Sequence, residues 1–566
     1  MSPARPKRRT QAPARRPSLE PAEAPVVEIA DWRLAAAMAV AGVVAFLVFR
    51  GTFGHGFVNW DDGIYVYENP ALRHLSSQTL AWFFTRFYYF AYIPVTLSSY
   101  AFDVIAWGAG PRGHHLANVL LHAANAAWIV FLGVALSAWG RPRAGARATE
   151  PSGGHAAALW GAGAAALLWA VHPLRAESVA WISDRKDLLC AFFLLPATIA
   201  YIAAREGAPR RGLWLTVSFL CFFLAALSKA NAVVFPVVLL LLDWMNGRRG
   251  WELLVEKIPF FVVAAAIAGV TLAMTPHTRP TTTVAQLTGV TRALLPFHSL
   301  AYSLFQTAAP ARLSPIYPSA RLGWSLAAGV VLAAITLLAI ARARRGRKGL
   351  LAAWLAYLVV LAPNVIGVGS GLQPVADRYS YLATIPLFVL AGFGIAVVWE
   401  RAGAWRRVAL GAVLACVLVL LGALAARQAG LWRSSESLWA YVIREFPPTA
   451  DYIDAYVNLS AAYDREGKRA EAKRVLERAA AIDPRSAKVQ YNLGIVSYFL
   501  GDRARALACL RRATELDSTD AMAFYNRALI SGEAGYVEES VTSMTRAARM
   551  GLLDAQEALH NRGMSW

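Results

Sequence analysis

The chain has 566 residues, of which 57% are hydrophobic and only 16% charged, which excludes a soluble enzyme of ordinary composition and calls for a bilayer. Its formal charge of +20 is not a nucleic-acid signature, because much of it falls in short loops between apolar runs, where positive charge marks the cytoplasmic face of a membrane. Cys190, Cys221, Cys416 and Cys509 have no metal-ligand spacing and imply neither a disulfide framework nor a zinc site.

Residues 1–32, rich in Pro, Arg and Ala, hold too little apolar side chain to fold and are expected to form a disordered basic cytoplasmic tail. The run Leu34 to Phe49 is longer than a signal-peptide core and lacks a clear cleavage site, so it reads as a retained anchor. Runs able to cross about 30 Å of hydrocarbon follow near 116–138, 156–171, 188–204, 213–228, 232–245, 258–275, 323–341, 350–366, 381–399 and 408–426, predicting about eleven spans. The segment 293–309 carries Pro296, His298 and Gln306. If it crossed, the most basic loop, 342–349, would move outside, so it is expected to be re-entrant or interfacial.

Counted from a cytoplasmic tail, the inside loops 140–155, 205–212, 246–257, 342–349 and 400–407 all carry a basic excess. The outside loops are 50–115, 172–187, 229–231, 276–322, 367–380 and everything after about 427, and they gather the remaining polar chemistry. Within the second span His114, His115, Asn118, His122 and Asn125 form a polar stripe suited to helix–helix hydrogen bonds.

From about Leu431 the sequence turns into soluble helix with a fixed period. Asn458, Asn492 and Asn526 are 34 residues apart, and Gly467, Gly501, Gly535 and Ala479, Ala513, Ala547 keep the same step. That period belongs to tetratricopeptide (TPR) helix pairs, with Gly at the tight turn and Ala where the second helix meets its neighbour. Three repeats predict either a short groove for a polypeptide partner or a rigid spacer docked on the membrane domain.

Two outside segments carry candidate chemistry. Trp60-Asp61-Asp62-Gly63 sets two carboxylates among aromatic residues. Held partly dry, one would gain proton affinity and could take a proton from a hydroxyl, while the other could orient the acceptor or bind a divalent cation such as Mg or Mn. Either could equally cap a helix starting near Gly63. In His172–Asp187, Arg185 and Lys186 suit a phosphate, or alternatively solubility or pairing with Asp184 or Asp187. Lys229, between two spans, and Arg378, in Asp377-Arg378-Tyr379, point to the same face, although Lys229 could simply snorkel.

Taken together, the early acidic loop, HPLRAESVAWISDRKDLL, LSKANAVVFP, DRYSYLATIP and the trailing repeats resemble the transmembrane and tetratricopeptide repeat-containing O-mannosyltransferases of the GT-C glycosyltransferase superfamily. The resemblance covers about residues 45–550. It implies an all-α polytopic membrane bundle followed by a TPR α-solenoid, with a GT-C-like domain over 33–430 and an extracytoplasmic repeat domain over 431–566. The implied activity is transfer of a sugar, mannose in known members, from a polyprenyl-phosphate carrier to Ser or Thr hydroxyls of exported proteins. Asp61 and Asp62 would match the superfamily's first-loop acidic motif, and Arg185, Lys186, Arg378 and Lys229 would hold the carrier phosphate. The Ala- and Arg-rich composition suggests a bacterial inner membrane, with undecaprenyl phosphate as carrier. Competing readings are a non-enzymatic TPR scaffold and an enzyme that glycosylates a lipid or envelope glycan.

Overall fold

The computed structural model describes residues 31–89, 91–139, 154–206, 209–274, 289–318, 322–366, 373, 375–561 and 564–565. The expected basic tail up to residue 30, nearly all of the loop 140–155 and parts of the loops 276–322 and 367–380 therefore lie outside the described residues, while Asp31 and Trp32, expected in that tail, cap and open the first helix. The fold is all-α, with no strand among the described residues. Six helices are long and apolar enough to cross a membrane, a bent pair, Asp377–Ala383 and Ile385–Arg401, makes a seventh, and four shorter apolar helices complete the bundle. Each of the eleven corresponds to one predicted run. The segment 293–309 forms a helix, Gly289–Ala308, that does not reach that apolarity. It packs against Leu322–Arg344 and Gly349–Ile366.

The polar stripe is spent inside the bundle, as expected. His122 lies 2.8 Å from the Tyr381 hydroxyl, Asn125 donates to that hydroxyl and to the Leu188 carbonyl, and His114 pairs with Asp103. Such bonds fix helix registers where lipid offers no competing partner. At the other end of the bundle Asp243, fully buried, binds Lys257, Arg248 and the Tyr201 hydroxyl. Part of the basic excess of the predicted inside loops is thus neutralised at helix ends.

The last long helix, Ala404–Leu431, leads directly into Ser435–Glu445, whose Ser434–Ser437 capping box closes its first turn. Three helix pairs follow: Ile453–Arg465 with Arg469–Ile482, Ala487–Phe499 with Arg503–Leu516, and Ala521–Glu533 with Val537–Arg549. The recurring glycines have φ of 76°, 84° and 84°, a left-handed conformation that costs a Cβ-bearing residue about 1 kcal/mol or more. The recurring alanines are fully buried or nearly so. One hydrophobic core runs from the bundle (Phe49, Trp169, Trp181) through Trp432 to Leu438, Trp439, Ala455 and Leu459. Packing is therefore continuous across the boundary expected at 430/431.

Candidate active site

The first span runs on through the 3₁₀ turn Arg50–Gly54, and the chain then enters a single π-helical turn, Gly63–Tyr67, closed by the bond from the Glu68 amide to the Gly63 carbonyl. Single π turns recur where a side chain must be re-aimed at a functional site. Asp61 and Asp62 lie just before it and face different surroundings.

Asp62 is fully buried. Its Oδ2 accepts from the Val58 amide at 2.9 Å, and its Oδ1 accepts from the Ser183 amide and hydroxyl at 3.0 and 2.5 Å. It does not cap the following turn, so the capping alternative is replaced by a tie between two loops 121 residues apart. Burial pushes its pKa up to about 6, although the bonds from Ser183 and Val58 pull the other way and neighbouring Asp61 adds to the rise. Asp61 is 32% exposed, with the Lys186 ammonium 4.0 Å away. Of the two carboxylates it is the one presented to solvent.

The pair does not fit a divalent cation. Such an ion prefers several oxygen ligands, but both Asp62 oxygens already accept protein donors and Asp61 faces a cation. Among the described residues, no three His, Cys, Asp or Glu side chains converge to hold a metal.

The segment 172–187 folds as a short helix, Arg175–Ala180, a 3₁₀ turn, Ile182–Asp184, and the start of the helix Arg185–Arg205. Trp181 lies at its centre. Its ring has Lys186 at 5.6 Å and the Arg378 guanidinium at 5.4 Å, and it stacks on Trp432 with centroids 5.7 Å apart while Trp60 meets it edge-on. The aromatic face favours both cations. Arg378 gives its backbone amide and one Nη to Glu177 at 2.9 and 2.6 Å and the other Nη to Gln373.

Lys229, in the turn between two spans, holds Asp187 at 2.5 Å. Burial works against its charge, but the Asp187 and Asp184 carboxylates outweigh that and raise its pKa. Asp184, fully buried, has no hydrogen-bond donor on either oxygen among the described residues. Four of the predicted residues, Asp61, Lys186, Arg378 and Lys229, thus gather around Trp181 and the Asp184/Asp187 pair.

Arg185 does not join them. It is 1% exposed, forms an ion pair with Asp103, and donates to Asn118 at 2.8 Å and the His114 carbonyl at 2.7 Å, with Tyr100 stacked 4.7 Å away. Successive residues of a helix point about 100° apart, so Lys186 reaches the cluster while Arg185 is turned into the bundle as a structural cation. Sequence reasoning missed Trp181 and Glu177, although both stand inside the quoted 172–187 segment; a Trp flanked by cations in an outside loop was the available signal.

Within the bundle an apolar cavity of about 760 Å³ is lined by Leu132, Leu194, Val238, Ala356, Val389 and Phe393, and by none of the cluster residues. Asn231 lines it before the helix Phe235–Met245, and Gly247 and Lys348 line it past the far end of that helix. The cavity therefore spans that helix's length.

Residues 465–528 match the tetratricopeptide repeat family. The chain is 28% identical over 227 residues to the Homo sapiens protein O-mannosyl-transferase TMTC4, covering 34% of this chain and 27% of that protein. It is 31% identical over 135 residues to the Drosophila melanogaster protein O-mannosyl-transferase Tmtc3, covering 23% and 14%. The chain thus spans about a quarter or less of the length of these relatives. Among solved structures, the crystal structure of MamA aligns at 19% identity and a TM-score of 0.21 over 24% of this chain and 82% of that one.

Proposed function

We propose that this chain, which resembles the TMTC protein O-mannosyl-transferases, is an inverting integral-membrane glycosyltransferase of GT-C type. It transfers a sugar, mannose by preference, from a polyprenyl-phosphate carrier to Ser or Thr hydroxyls of exported polypeptides. The observation that carries this reading is the position of one exposed carboxylate, Asp61, 4.0 Å from Lys186, with Arg378 and Lys229 close behind. Base and cation thus border one solvent-facing site; in an inverting displacement they act from opposite sides of C1, so the sugar-phosphate enters between them and parts the 4.0 Å contact.

In the reaction Asp61 accepts the proton of the acceptor hydroxyl, and the freed oxygen pair attacks C1 of the sugar. The C1–O bond to phosphate breaks with inversion, and its electron pair leaves on the polyprenyl phosphate. Lys186, held over Tyr65 and Trp181, meets the charge that grows on that phosphate. Arg378 and Lys229 arrive already paired with Glu177 and Asp187, so they add orientation and a partial positive field. Asp62 fixes the loop and makes no contact with substrate. The apolar cavity is suited to the isoprenoid tail, since burial contributes about 25 cal/mol per Å² of apolar surface.

This reading sets the acidic loop, the 172–187 segment and the repeats on the extracytoplasmic side of a bacterial inner membrane, with residues 1–32 inside. The domain division at about residue 430 belongs to it as a division of labour: chemistry before, polypeptide binding after. A donor panel tests it. The purified chain should use mannosyl phosphoryl polyprenol and ignore nucleotide sugars; use of a nucleotide sugar alone would refute it.

A further inference from the structure

The loop that carries Asp61 is held from two sides, and one holder belongs to the C-terminal helices. On the membrane side Asp62 is clasped by Val58 and Ser183. On the other, Asn59 spends its polar groups across 376 to 399 residues of sequence. Its amide donates to Ser435 Oγ at 2.9 Å, its Nδ2 to the Asn458 carbonyl at 2.8 Å, and its Oδ1 accepts from Trp439 Nε1 at 2.7 Å. Trp60 stacks on Trp439 with centroids 4.8 Å apart and an interplanar angle of 27°. Trp439 is fully buried, and the bond it gives Asn59 is part-buried. Around this centre the Gly56 amide donates to the Arg433 carbonyl, and Arg465 reaches Tyr67 and Glu68 from the first repeat.

We infer that the helix Ser435–Glu445 and the first repeat form part of the active-site scaffold, with Asn59 as the positioning residue that holds Asp61 beside Lys186. The bonds of Asp62 to Val58 and Ser183 hold only the two ends of the segment 58–62, and Asp61 lies between them, two residues from Asn59, so its position depends on how the middle of that segment is held. Misplacing a reacting group by about 1 Å costs on the order of 10²-fold in rate, so the second tie has a kinetic consequence even though it touches no substrate. Asn59 also uses both its donor and its acceptor in the dock, which neither Asp nor Ala can reproduce. The repeats are then not a detachable adapter: their first unit sets the geometry of the base. The inference rests on the transfer function proposed above.

The test uses the full chain with Asn59→Ala and the milder Trp439→Phe, which keeps an aromatic ring and removes the N–H given to Asn59 together with one ring of the indole. Transfer kinetics with mannosyl phosphoryl polyprenol, measured below each variant's thermal midpoint, should show kcat lowered at least tenfold with donor KM within twofold of wild type. A spin label at Ile64→Cys reports loop order without turnover and should be immobile in the otherwise wild-type chain and mobile in Trp439→Phe. Unchanged kcat in both variants, or a label whose mobility does not move, overturns the inference. If the wild type transfers no sugar, the function falls separately and the label alone decides whether the dock orders the loop.

Discussion

Ser183→Ala isolates the tie between the two loops because it deletes one oxygen and leaves both backbone bonds to Asp62. Ser183 is almost fully buried and its hydroxyl gives Asp62 the shortest of three bonds, 2.5 Å. A hydrogen bond to a charged group contributes about 1.5–3 kcal/mol, against about 0.5–1.5 kcal/mol for a neutral one. The loss should therefore depend on pH. The folded pKa of Asp62, about 6, lies above its ordinary 3.8. Its contribution to stability is thus full below pH 3.8 and falls by about 1.4 kcal/mol for each pH unit between those two values, until it is lost above pH 6. The Ser183 bond favours the ionised form, so removing it should cost about 1.5–3 kcal/mol at about pH 8 and about 0.5–1.5 kcal/mol near pH 4. Thermal unfolding of purified wild type and variant across that range measures this. A pH-independent loss, or none, would refute the placement of Asp62 as a buried, titrating clasp.

Lys186→Met should raise donor KM and lower kcat together, about tenfold or more in kcat/KM, with Lys186→Arg intermediate; initial rates at varied carrier concentration read it out. Arg185→Ala should instead destabilise the chain by about 3–5 kcal/mol, since it leaves the buried Asp103 without its guanidinium and with His114 as its remaining partner, and the surviving folded fraction should keep its donor KM. Ala356→Trp, which fills the cavity, should raise KM for long-chain carriers while leaving a short-chain analogue unaffected.

The membrane segments were legible because hydrocarbon imposes one requirement on every span, a long apolar helix that satisfies its own backbone. All eleven runs therefore appear as helices. The repeats were legible because a stack forces the same residue at the same register, as Gly467, Gly501 and Gly535 show by their shared positive φ. The candidate site was legible by composition but only partly by geometry. Asp61 and Asp62 look alike in sequence, yet their different burial depends on Ser183, 121 residues away. Arg185 and Lys186 are likewise neighbours separated only by helical phase, and the partner that claims Arg185, Asp103, has no local signal. The dock of Asn59 on Trp439 joins residues 380 apart, a contact that no periodicity encodes. Among the alternatives, a scaffold without chemistry predicts that Asp61 is dispensable.

That difference makes Asp61→Asn the decisive comparison. Purified wild type and variant, incubated with mannosyl phosphoryl polyprenol and peptides of exported proteins, are followed by mass spectrometry for hexose on Ser or Thr. Loss of a general base typically costs about 10²–10⁴-fold, so the account predicts hexose transfer by wild type and a fall of that size in the variant, with unchanged thermal stability. Equal transfer by both proteins would contradict it.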